Sequence, residues 1–137
     1  MPDFRVLVAD DVSGNCKLMV RILQRLHEDW NISTVVTAEE VVTLVQEAHA
    51  KTTPFNLLVI DENFGDCMKG STAIVEIRAT EQTRTSQSKL AIISWTSDAD
   101  TISEVLLERG ADHVWGKPLP ELSTLQDDLQ RILPTES

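Results

Sequence analysis

Arg5-Val6-Leu7-Val8-Ala9-Asp10-Asp11 is a short aliphatic run that stops abruptly on two acids. The run is too short for an amphipathic helix and rich in branched side chains, so it predicts a buried strand with carboxylates at its carboxyl end. Working outward, residues 32–36, Leu57–Ile60, 90–94 and 113–115 repeat the type, and Leu57–Ile60 again ends on an acid, Asp61. A segment with helical periodicity separates each run from the next.

Those segments predict helices over residues 13–27, Ala38–Ala50, 71–80, 98–109 and 122–133. In the first, Leu18, Ile22 and Leu26 recur at four-residue steps, with Val20 and Leu23 widening the stripe and Gly14 as its weak point. Val41, Leu44, Val45 and Ala48 share a face of the second, and Leu122, Leu125 and Leu129 one of the last. Strand and helix alternate five times. Apolar strands flanked by helices imply a mostly parallel sheet covered on both faces, and right-handed crossovers make a doubly wound three-layer α/β/α sandwich the economical topology. Its ligand site belongs beyond the carboxyl ends of the strands. Residues 80–89 read as a loop and 134–137 as a frayed tail.

At 137 residues the chain fits one domain. A net charge of −10 argues against direct binding to nucleic acid, because no basic stripe is present to displace counterions from phosphates. Proteins or cations are the expected partners. With no long apolar run and no leader-like start at Met1-Pro2-Asp3-Phe4, no membrane association and a cytoplasmic location are expected. Cys16 and Cys67 lack CxxC spacing, and His27, His49 and His113 lack metal-ligand spacing. Gly65 and Gly70 form neither a Walker loop nor a dinucleotide fingerprint.

The topology brings Asp10, Asp11, Asp61, Thr96 and Lys117 to one edge of the sheet, because each follows or ends a strand. Taken alone, Asp10-Asp11 would read as a solvated turn or helix cap. Beside Asp61 they form a cluster of like charges that repel unless a cation compensates them. Mg²⁺, with Mn²⁺ as an alternative, suits a small all-oxygen site that also meets phosphate oxygens, and no calcium-loop spacing competes. An ionised aspartate can attack phosphorus if cations neutralise the moving group, Lys117 supplying one charge and Thr96 a hydroxyl donor. Ser97 is expected to cap the fourth helix, with Asp98 favouring its dipole.

Val6-Leu7-Val8-Ala9-Asp10-Asp11, Val59-Ile60-Asp61, Ile92-Ile93-Ser94-Trp95-Thr96-Ser97 and Gly110-Ala111-Asp112 leading to Lys117-Pro118 follow the order of blocks in the receiver domain of two-component response regulators. The chain resembles that family over residues 4–133. The resemblance implies a flavodoxin-like fold with five parallel strands in the order 2-1-3-4-5. It implies Asp61 as phosphoacceptor, Asp11 as a direct metal ligand, Asp10 as a ligand mostly through water, and the main-chain carbonyl of Asn63 as a further ligand. It gives Thr96 and Lys117 the phosphoryl oxygens and Asn63 and Asp98 control of water access; the family often has a cis proline after the lysine, and the sequence leaves Lys117-Pro118 open between cis and trans. Asn15 with Lys17 matches receivers of hybrid sensor kinases and phosphorelays.

The implied function is a phosphorylation switch that takes its phosphoryl group from a histidine kinase or histidine phosphotransfer protein and alters binding to a downstream protein. Such a domain would catalyse its own phosphorylation and dephosphorylation without being an ordinary enzyme. No output domain follows, so a free-standing regulator or a receiver excised from a hybrid kinase is expected, with self-association no stronger than a weak homodimer. The chain departs from the pattern in three places. The loop at 62–70 is one residue longer before its glycine and lacks the family's Met-Pro pair. Counting back from Lys117 lands on Trp95, whereas the strand pattern selects Thr96. Val114 stands where an aromatic ring is usual, so either Trp115 or Trp95 substitutes or the output route differs. These departures motivate a rival, a pseudo-receiver acting as a phosphorylation-independent interaction module. A magnesium-dependent phosphate hydrolase is a second rival, but Asn63 stands where its acid/base aspartate would be.

Overall fold

The structure, a computed structural model, describes residues 3–84 and 89–134. Five strands, β1 (Arg5–Ala9), β2 (Asn31–Val35), β3 (Leu57–Ile60), β4 (Ala91–Thr96) and β5 (His113–Gly116), alternate with α1 (Ser13–Leu26), α2 (Ala38–Ala50), α3 (Gly70–Gln82), α4 (Ala99–Arg109) and α5 (Leu122–Ile132). The strands form one sheet in the order β2-β1-β3-β4-β5, every neighbouring pair parallel. This is the flavodoxin-like topology expected.

Burial follows position in the sheet. Val6 to Ala9, all of β3 and all of β4 are buried, as two-sided cover requires, whereas the edge strand β2 leaves Asn31 and Thr34 exposed. One core layer lies on the α2–α3–α4 face around Leu7, Leu58, Ile74 and Ile92. The other lies on the α1–α5 face around Val8, Val59, Trp95 and Trp115.

Several boundaries differ from the sequence reading for physical reasons. Strand β2 starts and ends one residue early, because the Asn31 amide donates to the Phe4 carbonyl at 2.9 Å and Val36 turns to solvent. Helix α1 buries Cys16, Met19 and Leu23, leaving Leu18 46% exposed. The Cys16 thiol, donating to the carbonyls of Asp10 (3.4 Å) and Val35 (3.8 Å), sits on the row that meets β1 and β2. Helix α3 starts at Gly70 and takes in Glu81 and Gln82, which the sequence reading gave to the loop. The rest of that loop at 85–88, and the tail at 135–137, fall outside the described residues. Helix α4 has Asp98, not Ser97, at its N-cap position, and no side chain caps it.

The amino-terminal end of the sheet is closed by Arg78 of α3. Its guanidinium donates to the carbonyls of Gly110 (2.9 Å) and Leu90 (2.7 Å) and to the carboxylates of Glu81 (2.8 Å) and Asp112 (3.0 Å). Gly110, at φ 125°, ends α4 where a Cβ would collide with Arg78. Asp112 also accepts from the Ile92 amide at 2.8 Å, and Glu81 from the Leu90 amide at 2.9 Å. Arg78, Glu81 and Asp112 thus each have a charged partner.

Candidate functional site

The register places the acids. Ala9 pairs with Ile60, and the Asp61 amide continues the ladder by donating to the Ala9 carbonyl at 2.9 Å, so Asp10 and Asp61 leave adjacent strands side by side. On the other flank Thr96 pairs with Gly116, and the Lys117 amide donates to the Thr96 carbonyl at 3.2 Å. The Lys117-Pro118 bond, which the sequence left open, is cis.

Carboxylate oxygens of Asp10, Asp11 and Asp61 lie within 4.8 Å of one another. Asp10 is fully buried and densely held. Its Oδ1 accepts from the Val12 amide at 2.9 Å, its Oδ2 from Lys117 Nζ at 2.9 Å, and Asn15 Nδ2 donates to both oxygens at 3.3 and 3.2 Å. The cap-like contact that Asp10 makes to the start of α1 thus coexists with its place in the cluster. Asp11 is exposed.

Asp61 is 6% exposed, and its Oδ1 accepts from the Glu62 amide at 2.8 Å and lies 3.4 Å from Lys117 Nζ. Burial pushes its proton affinity above the ordinary carboxylate value, and the charge of Asp10 adds to that, against the pull of Lys117 and of the Glu62 and Asn63 amides. One lysine facing three carboxylates leaves the site with excess negative charge. An all-oxygen donor set with that excess fits a hard divalent cation.

The loop after Asp61 is anchored to α3 by groups the sequence did not reveal. The Glu62 carboxylate accepts from the Ser71 amide at 2.6 Å and the Ser71 hydroxyl at 2.9 Å, and the Gly70 amide donates to the Glu62 carbonyl at 3.0 Å. A Cβ at Gly70 would collide with the Asp61 carbonyl oxygen. Asn63 is exposed within this loop. Thr96 is fully buried, its hydroxyl oxygen accepting from the amide of exposed Asp98 at 3.2 Å.

The tryptophans do not stand in for the missing aromatic at Val114. Val114 packs against the α2–α3–α4 core, whereas Trp115 is buried on the opposite face, its Nε1 donating to Asp128 at 3.0 Å. Burial works against the Asp128 carboxylate, but hydrogen bonds from Trp115 and Arg131 and the charges of His113 and Arg131 outweigh it and hold its pKa below the usual value. Trp95 lies on the same face as Trp115, its ring centroid 4.6 Å from Lys117 Nζ. The sequence reading did not foresee this contact between Trp95 and the lysine.

A family model described as "Response regulator receiver domain" matches residues 6–130. No curated protein matches significantly. Among solved structures, the Vibrio cholerae chemotaxis protein CheY4 superposes with a TM-score of 0.74 at 22% identity, covering 96% of this chain and 99% of that one. A co-crystal structure of the Saccharomyces cerevisiae histidine phosphotransfer signaling protein Ypd1 and the receiver domain of its downstream response regulator Ssk1 gives 0.75 at 20% identity, covering 96% and 89%. A CheY-like receiver domain protein from Methanospirillum hungatei JF-1 gives 0.70 at 22%, covering 96% and 93%.

Proposed function

The chain belongs to the response regulator receiver family, and from that premise we propose that Asp61 accepts a phosphoryl group and that its charge switches the binding of a protein partner. The carrying observation is the buried Asp61 carboxylate, clustered with Asp10 and Asp11 and 3.4 Å from Lys117 Nζ. The ionised carboxylate attacks the phosphorus of a phosphohistidine on a histidine kinase or phosphotransfer protein. The new P–O bond forms as the P–N bond breaks, and the imidazole leaves with the bonding pair and takes a proton. Lys117 turns from the carboxylates to a phosphoryl oxygen, and Thr96 donates its hydroxyl proton to another. Asn63 and Asp98, at the rim, govern the approach of the water that later cleaves the acyl phosphate.

Asp10, Asp11, Asp61 and the Asn63 main-chain carbonyl are the residues that would hold Mg²⁺ or Mn²⁺, whose charge neutralises the phosphoryl oxygens when bound. Helix α1 offers a face for the donor: Lys17, Arg21 and Arg25 are exposed beside Leu18, on a helix without acids in a chain of net charge −10. No helix among the described residues is long and apolar enough to cross a membrane, in keeping with a cytoplasmic switch. As a single receiver domain the chain would act free-standing or within a larger hybrid kinase, self-associating weakly at most.

A second reading, a pseudo-receiver with the fold but no phosphorylation, is favoured by Val114, which has no ring to swing. One experiment separates the two. Incubation with phosphoramidate or acetyl phosphate is expected to add the mass of one phosphoryl group only with Mg²⁺ and not to Asp61→Asn. No adduct, together with failure to bind beryllofluoride, leaves the pseudo-receiver standing.

A further inference from the structure

Trp95 is the residue before Thr96 on β4, and only 2% of its surface is exposed. Its Nε1 is buried without a hydrogen-bond partner among the described residues. An indole N–H left in that state carries a cost that Phe, Leu or Met in the same place would avoid. Its register partner Trp115 shows the ordinary arrangement, with Nε1 donating to Asp128. Apolar packing alone does not account for an indole at 95.

The face of the ring does. Lys117 Nζ lies 4.6 Å from its centroid, inside the roughly 6 Å over which a cation is drawn to an aromatic face, and indole offers the strongest such face. The same ammonium is 2.9 Å from Asp10 Oδ2 and 3.4 Å from Asp61 Oδ1. A lysine head is a point charge on a flexible stem, so these attractions fix where it sits. They respond differently to a divalent cation. A metal on the acids neutralises the carboxylates and repels the ammonium, while the pull of the uncharged ring is unchanged.

We propose that Trp95 is a positioning residue that acts through Lys117, keeping the ammonium beside Asp61 once the acids are neutralised so that it meets the incoming phosphoryl group. The consequence for phosphorylation rests on the phosphoacceptor reading of Asp61; the contact itself does not. The two are read separately. The contact is followed in the full chain by NMR of the Lys117 methylene beside Nζ, which the ring current shifts upfield. The shift is expected to persist when Mg²⁺ is added, to survive in Trp95→Phe and to vanish in Trp95→Leu.

The rate of phosphorylation by phosphoramidate at saturating Mg²⁺ is expected to fall about tenfold in Trp95→Leu and to stay within about threefold in Trp95→Phe, with Mg²⁺ affinity unchanged in both. In a Lys117→Gln background Trp95→Leu should cost nothing more. Replacing tryptophan by mono-, di- and trifluorinated tryptophan weakens the ring face with little change of shape, and the rate should fall stepwise even if Trp95→Leu does not fold. An unchanged rate in Trp95→Leu, a loss that persists without Lys117, or a flat fluorination series overturns the proposal. A wild type that takes no phosphoryl group overturns the phosphoacceptor reading, and the shift measured with Mg²⁺ alone then decides whether Trp95 holds Lys117.

Discussion

Two charged clusters cap the two ends of the sheet, and they are built on opposite principles. At the amino-terminal end Arg78 and Lys89 face Glu81 and Asp112, so the charges balance, and the Arg78 fork donates to two carbonyls and two carboxylates. At the carboxyl end Lys117 is, among the described residues, the one cation paired with Asp10 and Asp61, and Asp11 lies beside them. The first cluster is complete within the chain and serves the fold. The second carries more negative charge than its lysine offsets and opens to solvent at Asp11, the arrangement the proposed switch requires.

The sharpest break of this contrast is Asp61→Asn. Intact-mass measurement should find phosphorylation abolished while the far-UV circular dichroism spectrum stays native, since the fold does not depend on that charge. Arg78→Met should do the reverse, costing about 3 kcal/mol in urea unfolding by stranding Glu81 and Asp112 yet leaving the mass adduct intact. Saturation with Mg²⁺ comes next. At a hundredfold excess over its dissociation constant it should stabilise the wild type by about 2.7 kcal/mol, and a calorimetric shift equally large in Asp61→Asn at the same Mg²⁺ concentration would show that the Asp61 charge takes no part in holding the ion.

The smallest effects are in pH. The pKa of Asp61 is raised on folding, so its contribution to stability is present below the ordinary carboxylate range and lost as pH rises through the higher folded value. In EDTA, Asp61→Asn should therefore gain on the wild type in stability as pH rises through that window. Asp128 titrates with the opposite sign. Its folded pKa is lowered, so its contribution is present above the ordinary carboxylate range and lost as pH falls through the folded value. Thermal melts of Asp128→Asn should show a deficit at neutral pH that shrinks on acidification; a deficit that grows there would contradict the assignment.

How much of this was legible depended on whether a signal is local. Strands β1 and β3 and helix α2 carry the bounds read from sequence, because two-sided burial makes the strands near-continuous apolar runs and the apolar face of the helix recurs along its whole length. Strand β2 was displaced by one residue because an edge strand shows weaker patterning, and the α1 stripe was misread because Leu18 is as apolar as Met19 but lies off the row that meets the sheet. Asp10, Asp11, Asp61, Thr96 and Lys117 were placed together by topology, which needs only strand ends. The grip of Glu62 on Ser71, the four-way bonding of Arg78 and the indole beneath Lys117 join residues far apart in sequence and leave no periodicity behind. Asn15 stood out only as a mark of lineage; that it holds both oxygens of Asp10 needed coordinates.

The bare backbone of Gly70 against the Asp61 carbonyl oxygen, with no room for even a methyl group between them, is a joint with no clearance. A joint of that kind has no backlash: displacement of the Asp61 main chain reaches the first turn of α3 without a dead zone to absorb it.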